Sequence, residues 1–174
     1  MDNLMIDLET LDIKPSAVVV SIGAVWFDGV DRLGAEFYEV CDLNDQFKYG
    51  RTMSPSTVKW WMQQSAAARE VFLKPPTKTS QVLADFVDFL GEGNKWAKIW
   101  GNGADFDNII LGGLYETYGV ARPWSYGNNR CFRTLKNLAN VIPPNRVGTH
   151  HNALDDAKYQ AEWANAIFTS IRSS

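Results

Sequence analysis

Cysteine and histidine are scarce in this chain, with two of each in 174 residues. Cys41 and Cys131 lack metal-ligand spacing, and two buried free thiols in a reducing, cytoplasmic setting are the expectation. There is no long apolar run either. The longest, Ala17 to Phe27, is broken by Ser21 and Gly23 and is too short to span a bilayer, so no membrane partner is expected. The first ten residues hold three acids and no base, unlike a secretory leader. Repeats, low-complexity tracts and linkers are also lacking, which points to a single domain over residues 1–174. Basic excess is missing overall, at a net charge of −3, so by net charge alone the chain does not look like a nucleic-acid binder. One segment inverts this. Thr117 to Leu154 has no Asp or Glu but five bases (Arg122, Arg130, Arg133, Lys136, Arg146) and both histidines, a region able to face a polyanion. Gly101-x-Gly103 lacks the third glycine of a dinucleotide fingerprint, which sets a Rossmann reading aside.

What is present begins with strands. Leu4 to Thr10, Ala17 to Phe27 and Leu33 to Val40 read as an antiparallel meander, with a turn at Asp28-Gly29. Helical signals follow. Ser54-Pro55 resembles an N-cap followed by Pro at the first helical position, and Val58, Trp61, Met62 and Ser65 form an apolar stripe. A short helix spans Ala66 to Leu73. Another is capped by Thr79 or Ser80, buries Val82, Phe86, Val87 and Leu90, and stops at Gly91. Trp96 to Trp100 reads as a strand, then a helix from Asp105 to Tyr118 with Asp105 as its cap. Asn128 to Phe132 reads as a last strand, Thr134 to Asn140 as a short helix, and Ala153 to Ile171 as a helix with Ala153, Ala157, Ala161, Ala164 and Phe168 on one side. Strands first, then strands alternating with helices, argue for an α/β fold with one mixed sheet.

Three places concentrate acids. Asp7 and Glu9 stand two apart on the first strand and so share a face. On these two residues alone, a solvated strand end and a carboxylate pair binding Mg²⁺ or Mn²⁺ are both open. Asp107 shares a helix side with Ile110, Leu111, Leu114 and Tyr118, where an inward acid is costly without a partner. Asp156 lies next to the alanine side of the last helix, just after His151, while Asp155 lies with Lys158, Glu162 and Asn165 on a polar face. Trp61 falls on the apolar stripe, a core position. Trp60 falls off it and is free to stack on a base, and both are candidate substrate contacts.

Taken together, these stretches match a pattern. Asp7-Leu8-Glu9-Thr10, Asn102 to Asp107 and His151 to Ala157 correspond to Asp-x-Glu-Thr, Asn-x-x-x-Phe-Asp and His-x-Ala-x-x-Asp-Ala. In this the chain resembles the DEDDh family of 3′→5′ exonucleases. Within that family it is most similar to phage and prophage enzymes of the DexA and exonuclease VIII type and to ribonuclease AS, with Ser56 to Ser65 and Trp100 to Ala104 adding to the likeness. The resemblance implies a ribonuclease H-like fold: a five-stranded sheet of three antiparallel strands and parallel additions, with helices on both faces. It implies hydrolysis of single-stranded DNA or RNA 3′ ends with two divalent cations, Mg²⁺ or Mn²⁺, held by Asp7, Glu9, Asp107 and Asp156. His151 would be the proton acceptor, and Glu9 would also contact the terminal 3′-hydroxyl. Thr10 and Leu11 would line the terminal nucleotide, with Asn102 a further contact. A homodimer is one assembly the resemblance implies. Two neighbouring readings remain, a ribonuclease H-like endonuclease and a non-catalytic nucleic-acid-binding module. The third motif also fits in two registers, His150 with Asp155 or His151 with Asp156. The helix face and the positions of Ala153 and Ala157 favour the second.

Overall fold

The computed structural model describes residues 1–91, 94–103 and 105–173; Ala104, within the second motif, and Ser174 lie outside them. Strand β1 (Asn3–Thr10) is the centre of a five-stranded sheet. Antiparallel β2 (Val19–Phe27) and β3 (Leu33–Val40) extend it on one side, and parallel β4 (Lys98–Gly101) and β5 (Asn129–Cys131) on the other, giving the order β3-β2-β1-β4-β5. The meander is local in sequence, so short connections without a helix join its strands. The parallel strands need crossovers, and helices supply them. The chain contributes α1 (Leu43–Lys48), α2 (Pro55–Gln63), α3 (Ala66–Arg69), α4 (Thr79–Leu90), α5 (Asp107–Thr117), α6 (Phe132–Leu138) and α7 (Ala153–Arg172). Among the described residues, no helix is long and apolar enough to cross a membrane.

The alternation of β1 decides which face carries chemistry. Leu4, Ile6 and Leu8 point into the core shared with α4 and α5, while Met5 points into the core shared with α6 and α7. Asp7 and Glu9 follow Met5 at two-residue steps and so face α7. That helix lies close because Ala153, Ala157, Ala161 and Ala164 present no bulk to the sheet.

Two glycines set how closely helix starts approach the sheet. Gly23 pairs with Asp7 across β1 and β2. A Cβ there would sit 2.2 Å from the Ala153 backbone carbon, so only glycine lets α7 begin against the sheet at this point. Gly101 has the same role on β4, where a Cβ would meet Asn108 Oδ1 at 2.4 Å and the Asp107 Cβ at 2.9 Å.

The structure departs from the sequence reading at several places. Helix α2 ends at Gln63 and Ser65 instead caps α3, its Oγ accepting from the Ala68 N–H at 3.1 Å; within α2, Trp61 is buried but Met62 is exposed rather than part of a buried stripe. The residue at the cap of α4 is Lys78, without a side-chain bond, while Thr79 Oγ1 donates to the Asp42 carbonyl. Trp96 belongs to a 3-10 turn and is exposed, since β4 starts only where Lys98 comes opposite Asn3. Asn165 is buried, its Nδ2 donating to the Arg32 carbonyl of the β2–β3 turn. Cys41 is buried, but Cys131 is half-exposed, and its Sγ accepts from the Thr134 N–H at the start of α6.

The approach at Gly23 generates a direct test. Gly23→Ala is expected to destabilise the fold by about 3 kcal/mol through overpacking against backbone. Gly127→Ala, whose Cβ would meet only Ser125 Oγ at 3.8 Å, is expected to stay within about 0.5 kcal/mol. Urea denaturation of both variants measures this, and equal, small changes would contradict the packing described.

Candidate active site

Four carboxylates from three elements meet at the carboxyl ends of β1 and β4. Asp107 sits in the first turn of α5, 2% exposed, so its charge cannot be left to solvent. Backbone donors hold both of its oxygens: Oδ1 accepts the Leu8 N–H at 3.1 Å and Oδ2 accepts the Asn102 N–H at 2.9 Å. These bonds tie the β4–α5 turn to the end of β1. Asp7 keeps some surface toward the cleft, and its Oδ1 accepts from Gln160 Nε2 at 2.8 Å. Glu9 is buried at the bulge between Glu9 and Thr10. Asp156 lies in the first turn of α7, with Oδ2 accepting the His151 N–H at 3.0 Å and Oδ1 facing the Arg146 guanidinium.

Crowding these groups away from water raises their proton affinities. Burial, then repulsion from Asp107, Glu9 and Asp156, holds Asp7 well above the ordinary carboxylate range. Burial, with Asp156 and Asp107 nearby, pushes Glu9 up to about 8. Burial raises Asp107 to about 6, and the backbone donors at Asn102 and Leu8 oppose the rise. Asp156 is raised by burial and restrained chiefly by Arg146. Such a set of oxygen donors suits hard divalent cations, which replace the missing solvation and cancel the repulsion. Glu9, His151 and Asp156 each offer a donor atom lying within 4.8 Å of the other two.

His151 adopts a left-handed backbone, φ 63°, a costly conformation for a residue with a side chain. The bond from its N–H to Asp156 and the Asn152 cap, whose Oδ1 accepts from Leu154 and Asp155, hold it there. Its ring meets Trp60 edge to face at 4.7 Å between centroids. Burial lowers its pKa below the usual imidazole value, which keeps it neutral and able to accept a proton near neutrality.

A cleft of about 560 Å³ opens over these groups, and Thr10, Trp60 and Asn102 line it. Among the described residues, buried Asn102 Oδ1 has no hydrogen-bond partner. Two expected contacts do not reach the cleft lining. Trp61 is buried, with Nε1 donating to the Thr10 carbonyl at 2.9 Å, and it packs with Leu11 in a separate apolar cluster. Trp61 anchors α2 to the end of β1, and its neighbour Trp60 is thereby presented to the cleft. Asp105 is exposed and does not cap α5, whose cap position is Phe106; Asp107 is the acid that faces the cleft. Asp155 is no free surface acid, because its Oδ2 accepts the Thr149 N–H at 2.7 Å and so pins the loop before α7.

Gln160, Arg133, Arg146 and His150 also line the cleft; the sequence reading passed over Gln160, named the two arginines only within the basic segment, and weighed His150 only as the other register of the third motif. Gln160 was legible as the residue one turn beyond Asp156 on the same helix side. Arg133 and Arg146 belong to the acid-free segment, but nothing in their spacing singles them out.

The family model described as the 3′-5′ exoribonuclease Rv2179c-like domain matches residues 2–168. An exodeoxyribonuclease of Enterobacteria phage T4 is 27% identical over 123 residues, covering 64% of this chain and 54% of its own; the chain thus spans about half the length of this curated relative. The solved nuclease domain of 3′hExo, a DEDDh family member bound to rAMP, superposes with a TM-score of 0.64 at 14% identity, over 97% of this chain and 92% of that one. Escherichia coli exonuclease I in complex with a 5cy-dT13 oligonucleotide gives a TM-score of 0.64 at 13% identity, over 98% of this chain and 43% of its own. These two likenesses establish the ribonuclease H-like fold, with its mixed sheet between helices. Because the family match runs almost the full length of the chain and takes in all four converging acids, the chain belongs to the 3′-5′ exoribonuclease Rv2179c-like family.

Proposed function

We propose that this chain is a metal-dependent 3′→5′ exonuclease that releases nucleotides from single-stranded ends. The observation that carries the reading is the convergence of Asp7, Glu9, Asp107 and Asp156 beside His151 in one cleft. Asp7, Glu9, Asp107 and Asp156 would hold the divalent cations, Mg²⁺ or Mn²⁺. Cations held this way supply charge stabilisation to both the attacking and the leaving oxygen of a phosphodiester displacement.

The chain's own residues supply the rest. His151, neutral and next to Glu9 and Asp156, takes the proton of the attacking water. Gln160 holds one oxygen of Asp7 and leaves the other for coordination. Trp60, partly exposed at the cleft, offers an aromatic face to the terminal base, an interaction worth about 1–3 kcal/mol. Thr10 and Asn102 line the same space. Glu9 contacts the free 3′-hydroxyl, which restricts the enzyme to unblocked ends. The family description names ribonucleic acid and the phage relative deoxyribonucleic acid, so both polymers are substrates to compare.

Digestion of matched 3′-labelled and 5′-labelled DNA and RNA oligomers with Mn²⁺ tests the reading. The 3′ label is expected to leave as a mononucleotide from the first turnovers, and a 3′-phosphate is expected to block the reaction. Internal fragments of intermediate length would favour an endonuclease instead.

The register of the third motif is testable in the same assay. His151→Ala and Asp156→Ala are each expected to lower kcat by about a hundredfold or more, the lower range for lost acid–base catalysis. His150→Ala is expected to stay within about threefold. Asp155→Ala falls between, since it frees the Thr149 end of the loop while leaving the cleft acids in place. A reversal, with His150→Ala the damaging change, would move the site by one residue.

A further inference from the structure

Protein groups hold both oxygens of Asp156. Oδ2 is taken by the His151 N–H, a bond built into the start of α7. Oδ1 is contacted by two nitrogens of a single guanidinium, Nη1 and Nη2 of Arg146, each at 2.5 Å. Guanidinium and carboxylate normally pair fork to fork across both oxygens. Here Oδ2 is committed to the backbone, so Arg146 converges on the oxygen that would otherwise serve a cation from solution.

Arg146 also has a second place to rest. It lies in the irregular stretch between α6 and α7, and its guanidinium carbon stands 4.4 Å from the ring centre of Tyr159, one turn beyond Asp156 on α7. Tyr159 is backed by Trp163 at 6.0 Å. The Arg146 side chain keeps 22% of its surface exposed, and it lines the cleft. The segment that carries Arg146, Thr117 to Leu154, holds no acid of its own, and Glu9, which lies beside Asp156, would serve the same cation. Asp155, which follows that stretch in the sequence, already has Oδ2 on the Thr149 N–H.

We propose that Arg146 is an exchangeable counter-ion: it holds Asp156 Oδ1 until a divalent cation takes that oxygen, and the released guanidinium, retained over Tyr159, then contacts a phosphate of the single-stranded substrate. Two positive groups on one oxygen repel each other, so cation and guanidinium compete for Oδ1. Once free, the planar fork of Arg146 matches a phosphate. This inference rests on the metal-binding reading of the cleft. It makes Arg146 unfavourable for metal binding and favourable for substrate binding, a combination that a purely structural arginine would not show.

Calorimetric titration of Mn²⁺ into chelator-stripped protein without nucleic acid tests the first half. Arg146→Ala is expected to bind Mn²⁺ about tenfold more tightly, the equivalent of one charge-assisted contact that no longer has to be broken. Arg146→Lys, which keeps the charge but not the fork, should fall between Arg146→Ala and the parent. The second half is read from binding of a phosphorothioate single strand at saturating Mn²⁺. Its salt slope should flatten by about 0.7 in Arg146→Ala, the loss of one phosphate contact. Unchanged or weaker Mn²⁺ binding in Arg146→Ala would overturn the exchange, and an unchanged salt slope would overturn the phosphate contact. A parent protein that binds no Mn²⁺ would remove the metal reading as well. Parent protein that binds Mn²⁺ and trims 3′ ends, beside an Arg146→Ala variant of equal Mn²⁺ affinity, would overturn the Arg146 proposal alone.

Discussion

Repulsion among four carboxylates is the constraint around which this fold is arranged. Like charges a few ångströms apart in a poorly solvated cleft cost several kcal/mol unless they are protonated or neutralised. The chain lowers that cost with dipoles and with the cations Arg146 and Arg133. Backbone N–H groups of Leu8 and Asn102 hold Asp107, the Gln160 amide holds Asp7, and the His151 N–H and Arg146 hold Asp156. Glu9 shows the least such support and has a proton affinity displaced to about 8. The acids come together at all because Gly23, in the middle of β2, and Gly101, at the end of β4, let two helix starts press onto the sheet where any side chain would keep them away.

Helix α2 connects this electrostatic arrangement to the substrate side of the cleft. The indole N–H of Trp61 donates to the Thr10 carbonyl, just past the bulge that carries Glu9. The same bond sets the direction of Trp60, whose ring meets His151. His151 and the aromatic face of Trp60 are thus positioned by one buried tryptophan that itself does not line the cleft. Asp155 has a comparable indirect part, since its bond to Thr149 fixes the loop that brings Arg146 and His151 over Asp156.

Much of this was legible in the sequence where a period settles direction. Strand alternation put Asp7 and Glu9 on one face, helical spacing turned Asp107 toward the sheet, and the alanine face of α7 carried Asp156 inward with it. The bounds of β3 and the starts of α2 and α7 agree with the caps and turns read beforehand. Legibility ended where position depends on contacts distant in the chain. Asp105 has the chemistry of an N-cap, yet α5 begins two residues later, where Asp107 bonds to β1. The family resemblance implies Leu11 at the terminal nucleotide, but it packs with Trp61 from a different element. Arg146 lies in a stretch without periodicity, so only the folded chain shows that it reaches Asp156.

Thermal unfolding as a function of pH, with and without Mn²⁺, tests most directly whether the acids form a cation site. Glu9 keeps its proton to about pH 8 in the folded chain, against an ordinary value of 4.5. Across that window the folded state binds more protons than the unfolded one, so stability should fall as pH rises. In chelator, the unfolding temperature is therefore expected to drop between pH 5 and 8, and Glu9→Gln is expected to reduce the drop. Saturating Mn²⁺ should raise the unfolding temperature far more at the upper pH than at the lower, where protons compete for the same oxygens. An unfolding temperature independent of pH in chelator, or a Mn²⁺ effect equal at both ends, would contradict the account.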